Sequence, residues 1–122
     1  MSKELIILET LNNIKESIEI IIERFQEINS IDDFYEGEGL KTLDSISMRL
    51  IAIGEAFKQI DKLDKNLLKN YPNIDWKGVK GVRDILSHHY FQIDAEIIYN
   101  ICDDKLNELL CATNSMIKIV KG

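Results

Sequence analysis

Proline is almost missing from this chain, with one in 122 residues, and glycine is sparse at six. Both residues interrupt helices, so their scarcity, with abundant Leu, Ile, Glu and Lys, favours helix over strand. Cysteine is limited to Cys102 and Cys111, nine apart. Along a helix that spacing is about 13 Å of rise, too long for an intrachain disulfide. CxxC spacing is absent too, so metal and redox sites built on cysteine are excluded, and both thiols read as small buried hydrophobes. No run approaches the roughly 20 apolar residues needed to span a bilayer. A basic surplus is lacking as well: the net charge is −6. That excludes an ordinary nucleic-acid module with a broad electrostatic face, although not a small local basic site. Met1-Ser2-Lys3-Glu4 leads into an amphipathic stretch, without the basic end, apolar core and small-residue cleavage site of a signal peptide. The expected location is cytoplasmic.

What is present is helical periodicity. The length suits one domain, residues 1–122, with a real core. Ile7, Leu11, Ile14, Ile18, Ile21, Phe25 and Ile28 alternate in steps of four and three, which predicts a first helix ending at Asn29-Ser30. The acidic stretch Asp32 to Gly39 reads as a loop. Leu43, Ile46, Leu50, Ile53, Phe57 and Ile60 predict a second helix over about 40–63. Gly54 sits inside it at a cost of about 1 kcal/mol relative to Ala, a sign that something packs closely there. After the Tyr71-Pro72 break, Asp75 can cap a helix carrying Trp76, Val79, Val82 and Leu86 as far as Gln92. Asp94 caps the last helix, whose core side is marked by Ile98, Ile101, Leu109, Met116 and Val120. The expected fold class is all-α, a four- to five-helix antiparallel bundle.

Chemistry concentrates in Arg83-Asp84-Ile85-Leu86-Ser87-His88-His89-Tyr90, where a permanent cation, a neutral-pH acid/base and a phenol fall within eight residues. At about 100° per residue, Arg83 and Tyr90 nearly eclipse, whereas His88 lies about 140° round from Arg83. One straight helix therefore does not aim Arg83 and His88 at a single point. Asp84 and His88, four apart, share a face, so the carboxylate can hold the imidazole in one tautomer. An Asp–His pair on a solvated face beside a structural Arg fits the same spacing. His88 and His89 point about 100° apart and cannot ligate one ion together, so no metal site is expected. Lys77, Lys80, Arg83, His88 and His89 stand against one acid, Asp84, between Trp76 and His89. Glu55 reads as a helix-surface or polar-pocket carboxylate, and Trp76 as a core residue.

Arg83, four residues, then His88-His89-Tyr90 resembles the RX4HXY motif of the HepT-like ribonucleases, of the HEPN superfamily. The surroundings match as well: Trp76 seven residues before the Arg, Gly81-Val82-Arg83-Asp84 leading in, Tyr90-Phe91-Gln92-Ile93-Asp94 leading out, and Ile53-Gly54-Glu55-Ala56 upstream. Tyr99 and Ser87 depart mildly from the usual pattern, and His89 adds a second imidazole. The resemblance implies an all-α bundle that dimerises and acts as an endoribonuclease on RNA without metal or cofactor. It implies the toxin half of a toxin–antitoxin pair, whose partner is an MntA-like nucleotidyltransferase antitoxin. Carried over by position, Arg83 would clamp the scissile phosphate, His88 would act as general acid/base, and Asp84 would orient them. Tyr90 would be the residue modified by AMP. A non-catalytic helical partner that presents substrate to a nucleotidyltransferase stays open beside this.

Overall fold

The computed structural model describes residues 1–86 and 94–122. The first helix, α1 (Lys3–Phe25), starts where the Ser2 hydroxyl accepts from Leu5 N–H at 3.1 Å. It buries Ile7, Leu11, Ile14, Ile18 and Ile21, the seam expected from the spacing. It ends a turn earlier than expected, at Phe25, and Ile28 is buried from the turn that follows. The acidic loop is also more ordered than its composition suggests. A 3₁₀ turn, Ile31–Tyr35, places Phe34 wholly inside the core, because the Asp33 carboxylate accepts from the Asn29 and Ser30 N–H groups.

Helix α2 (Gly39–Leu63) lies antiparallel to α1: Arg24 at the end of α1 bonds Ser45, and Arg49 bonds Ser17 at 3.3 Å. Its buried stripe, Leu43, Ile46, Leu50, Ile53, Phe57 and Ile60, is the one the periodicity predicts. A 3₁₀ turn, Leu68–Asn70, leads to a short helix, α3 (Trp76–Lys80), and to α4 (Val82–Leu86), which reaches the edge of the described residues; both pack on α2. The single helix expected from Asp75 onward is thus broken at Gly81, whose carbonyl accepts from Asp84 and Ile85 N–H to start the second turn. The expected end of that helix near Gln92 lies outside the described residues.

The chain then runs helically over 95–121. Helix α5 (Ala95–Asn100) is capped by Asp94, whose carboxylate accepts from Glu96 N–H at 3.0 Å and Ile97 N–H at 3.3 Å. It passes through a π-helical turn, Ile101–Lys105, into α6 (Leu106–Lys121), which packs along α1. Ile98, Cys102 and Leu106 are buried at two successive steps of four. An ideal helix would rotate such a run off the core face, and the wider π turn absorbs the drift. Ile101 and Val120, expected in the core, are half-buried against it instead. Tyr99 closes the end of the bundle: its ring packs edge-on to Phe25 at 5.2 Å and its hydroxyl donates to Asn29 O at 3.2 Å. Buried Ser47 and Thr113 donate to the carbonyls of Leu43 and Leu109, four residues back. Among the described residues no helix is long and apolar enough to cross a membrane.

Candidate active site

The segment that carries Arg83 is held to α2 by close backbone packing. A Cβ built on Gly54 would lie 2.5 Å from the Val79 carbonyl oxygen and 3.0 Å from Val82 Cγ1. Only glycine leaves room for that turn, and this is the close approach its place mid-helix suggests. On the α3 side, the Asp75 carboxylate caps the helix by accepting from Gly78 N–H at 3.0 Å. Trp76 packs its ring on Phe57 at 4.9 Å and donates Nε1–H to the Tyr71 carbonyl at 3.0 Å. It is half-buried, with one face on the core and its polar edge satisfied.

Across this seam α2 presents charges that the sequence alone does not place together. Glu55, Lys58 and Asp61 follow at steps of three. Arg83 Nε lies 3.5 Å from Glu55 Oε1, and Lys58 Nζ lies 3.5 Å from the other oxygen of the same carboxylate. One turn further along α2, Lys80 Nζ donates to Asp61 Oδ2 at 3.0 Å. The local basic surplus counted along Trp76 to His89 is therefore offset by acids from another helix. Linear counting cannot see that compensation.

Exposure decides what the Arg83–Glu55 pair is for. The side chains are 62% and 40% exposed, and a pair in that setting contributes about 0–1 kcal/mol. Its physical effect is orientation: a guanidinium tied to a carboxylate on a rigid helix, with its charge still open to solvent. Asp84 is exposed beside Arg83 on α4, and among the described residues its carboxylate has no hydrogen bond or ion pair. His88 and Tyr90 lie outside the described residues, as do Ser87 and His89. Among the described residues no group of three His, Cys, Asp or Glu side chains is arranged to hold a metal ion.

The expectation for the thiols divides. Cys102 is buried, and desolvation pushes its pKa from 9.0 to about 12. Cys111 is exposed on α6 rather than buried, because it falls outside the inward run of Leu109, Ala112 and Met116.

The fold and site thus define a helical bundle with an exposed, acid-tethered arginine at the head of an R-x4-H-x-Y sequence segment. Residues 14–116 match the family model described as Ribonuclease HepT-like. The chain belongs to the HepT-like ribonuclease family. It is 34% identical to a Methanocaldococcus jannaschii protein whose name describes it as a candidate RNase, over 92% of this chain and 88% of that one. A Thermococcus cleftensis protein named Probable ribonuclease HepT is 33% identical over 81% of this chain and 84% of its own length. A further candidate RNase, from Caldanaerobacter subterraneus subsp. tengcongensis, is 32% identical over 81% of this chain and 83% of its own. No solved structure matches the chain.

Proposed function

We propose that this protein is a metal-independent endoribonuclease, the toxin of a toxin–antitoxin pair, silenced when a partner nucleotidyltransferase adenylylates Tyr90. The observation that carries the reading is Arg83, the first residue of the R-x4-H-x-Y motif inside the family match, standing exposed at the α2–α4 seam. In this mechanism the ribose 2′-OH attacks the adjacent phosphorus and the 5′-oxygen leaves, giving a cyclic phosphate. Arg83 binds the phosphate through charge-assisted hydrogen bonds and stabilises the charge that develops on it. His88 takes the proton from the nucleophile and returns one to the leaving oxygen, and Asp84 orients the imidazole. Tyr90 would be modified by attack of its phenol on the α-phosphate of ATP, with pyrophosphate leaving. On ideal helical spacing Tyr90 falls nearly in line with Arg83, so an AMP anion there would compete with the RNA backbone for the guanidinium.

We also propose a two-fold homodimer that brings two motif segments to one cleft, which would resolve the 140° offset between Arg83 and His88. Two exposed apolar side chains support this. Met48 is 74% exposed and lies two turns before Glu55 on one face of α2, and Ile85 is 42% exposed, two residues after Arg83.

The deciding experiment incubates the purified chain with RNA, and with DNA of the same sequence, with and without EDTA. Cleavage of RNA alone, unaffected by EDTA and abolished by Arg83→Ala and by His88→Ala in variants that still fold, is the expected result. Activity lost in EDTA, or cleavage of DNA, overturns the mechanism.

A further inference from the structure

We infer that Glu55 is a positioning residue for Arg83, setting the direction in which the guanidinium meets an RNA phosphate; the inference deepens the ribonuclease reading and rests on it. Glu55 is carried by the long helix α2, where its neighbours Ile53, Gly54 and Phe57 are buried, so its backbone is fixed by the core. Arg83 lies in the first turn of α4, just past the break at Gly81, where no earlier turn of its own helix flanks it. The carboxylate itself is steered from both sides, with Oε1 toward Arg83 Nε and Oε2 toward Lys58 Nζ, each at 3.5 Å. A second tie, Lys80 to Asp61 at 3.0 Å, pins the preceding helix to the same face of α2. Gly54, one residue before Glu55, sets the spacing, because the turn from Val79 to Val82 rests directly on it.

The edge used is chemically apt. Glu55 engages Nε, so this contact does not use the terminal Nη1 and Nη2 pair that presents two parallel N–H groups to a phosphate. A pair this exposed contributes little to stability, so its loss should register in the chemistry of the site rather than in folding. Misplacing a substrate-positioning group by about 1 Å costs on the order of a hundredfold in rate.

The test uses the full-length protein with Glu55→Gln, Glu55→Ala and Glu55→Asp, read in three ways. Urea midpoints should stay at the parent value. In RNA cleavage, kcat should fall roughly ten- to a hundredfold in the Gln and Ala variants, with a smaller rise in KM and partial recovery in the Asp variant. The Arg83 Nε–H resonance should lose its dispersion and exchange protection in Glu55→Gln. Parent-like kcat together with an unchanged Arg83 resonance overturns the assignment, and so does tighter RNA binding with faster cleavage, which would make Glu55 an obstacle. If the parent itself does not cleave RNA, the ribonuclease reading fails instead. The Arg83 resonance in Glu55→Gln then still decides whether Glu55 holds the guanidinium.

Discussion

Replacing Gly54 with alanine sets two effects of known size against each other. On an exposed helix the change would stabilise by about 1 kcal/mol, because alanine loses less backbone freedom on folding. Here the new methyl would sit 2.5 Å from the Val79 carbonyl oxygen, and ordinary contact begins near 3.4 Å. The obstacle is backbone, so it cannot swing aside as a flexible side chain would. The turn from Val79 to Val82 must retreat by roughly 0.9 Å, and overpacking of that kind costs about 1–3 kcal/mol. Taken together, Gly54→Ala should destabilise by up to roughly 2 kcal/mol once the helix gain is set against the overpacking. The same retreat at Arg83 would stretch its 3.5 Å contact with Glu55 beyond ion-pair range. Urea denaturation measures the first effect, provided the slope is unchanged between variants. Exposed Ala52, two residues earlier, calibrates the propensity term: Ala52→Gly should cost about 1 kcal/mol. A Gly54→Ala protein about 1 kcal/mol more stable than its parent would refute the close-packing argument.

Other consequences follow from single residues. The thiol of Cys102, raised to about 12, stays neutral in the folded chain while an unfolded thiol ionises near 9.0. The folded state thus holds the proton more tightly, so this contribution is intact below pH 9.0 and is lost as pH rises toward 12. At about 1.36 kcal/mol per unit the full loss approaches roughly 4 kcal/mol, and Cys102→Ala should flatten the alkaline slope of stability relative to the parent. A thiol reagent at neutral pH should modify exposed Cys111 quickly and reach Cys102 only on unfolding. Equal rates would contradict the burial. Phe34→Ala should cost about 3–5 kcal/mol, because the ring is wholly buried in what the sequence suggests is a loop. Co-expression with a cognate nucleotidyltransferase should raise the mass in AMP-sized steps mapping to Tyr90, and Tyr90→Phe should cleave RNA yet escape silencing. An increment that maps elsewhere would remove Tyr90 as the switch.

How far the sequence reaches depends on how far apart the cooperating residues lie. The seams of α1 and α2 are legible because burial at steps of three and four is a local property of one helix; the α2 stripe is buried as spaced, and the α1 stripe is buried through Ile21, with Phe25 half-buried. The caps at Asp75 and Asp94 are legible for the same reason, since a carboxylate reaches N–H groups two or three residues on. Phe34 is not, because Asp33, one of the acids that make its surroundings look like solvent, builds the turn placing it inside. The break at Gly81 also hides, as Val79, Val82 and Leu86 keep helical spacing across it. Arg83 is marked by its motif, but Glu55, 28 residues earlier, has no spacing rule that ties it to Arg83. The one local signal is the glycine before it, which costs the helix stability and so implies a neighbour without saying which. Once that neighbour is known to be the turn from Val79 to Val82, the order of dependence is clear. Gly54 permits the approach, the approach brings α4 within reach of Glu55, and Glu55 gives the motif arginine its direction. Gly54-Glu55 on one helix and Arg83 on another then form one physical unit, in which the first pair aims the second.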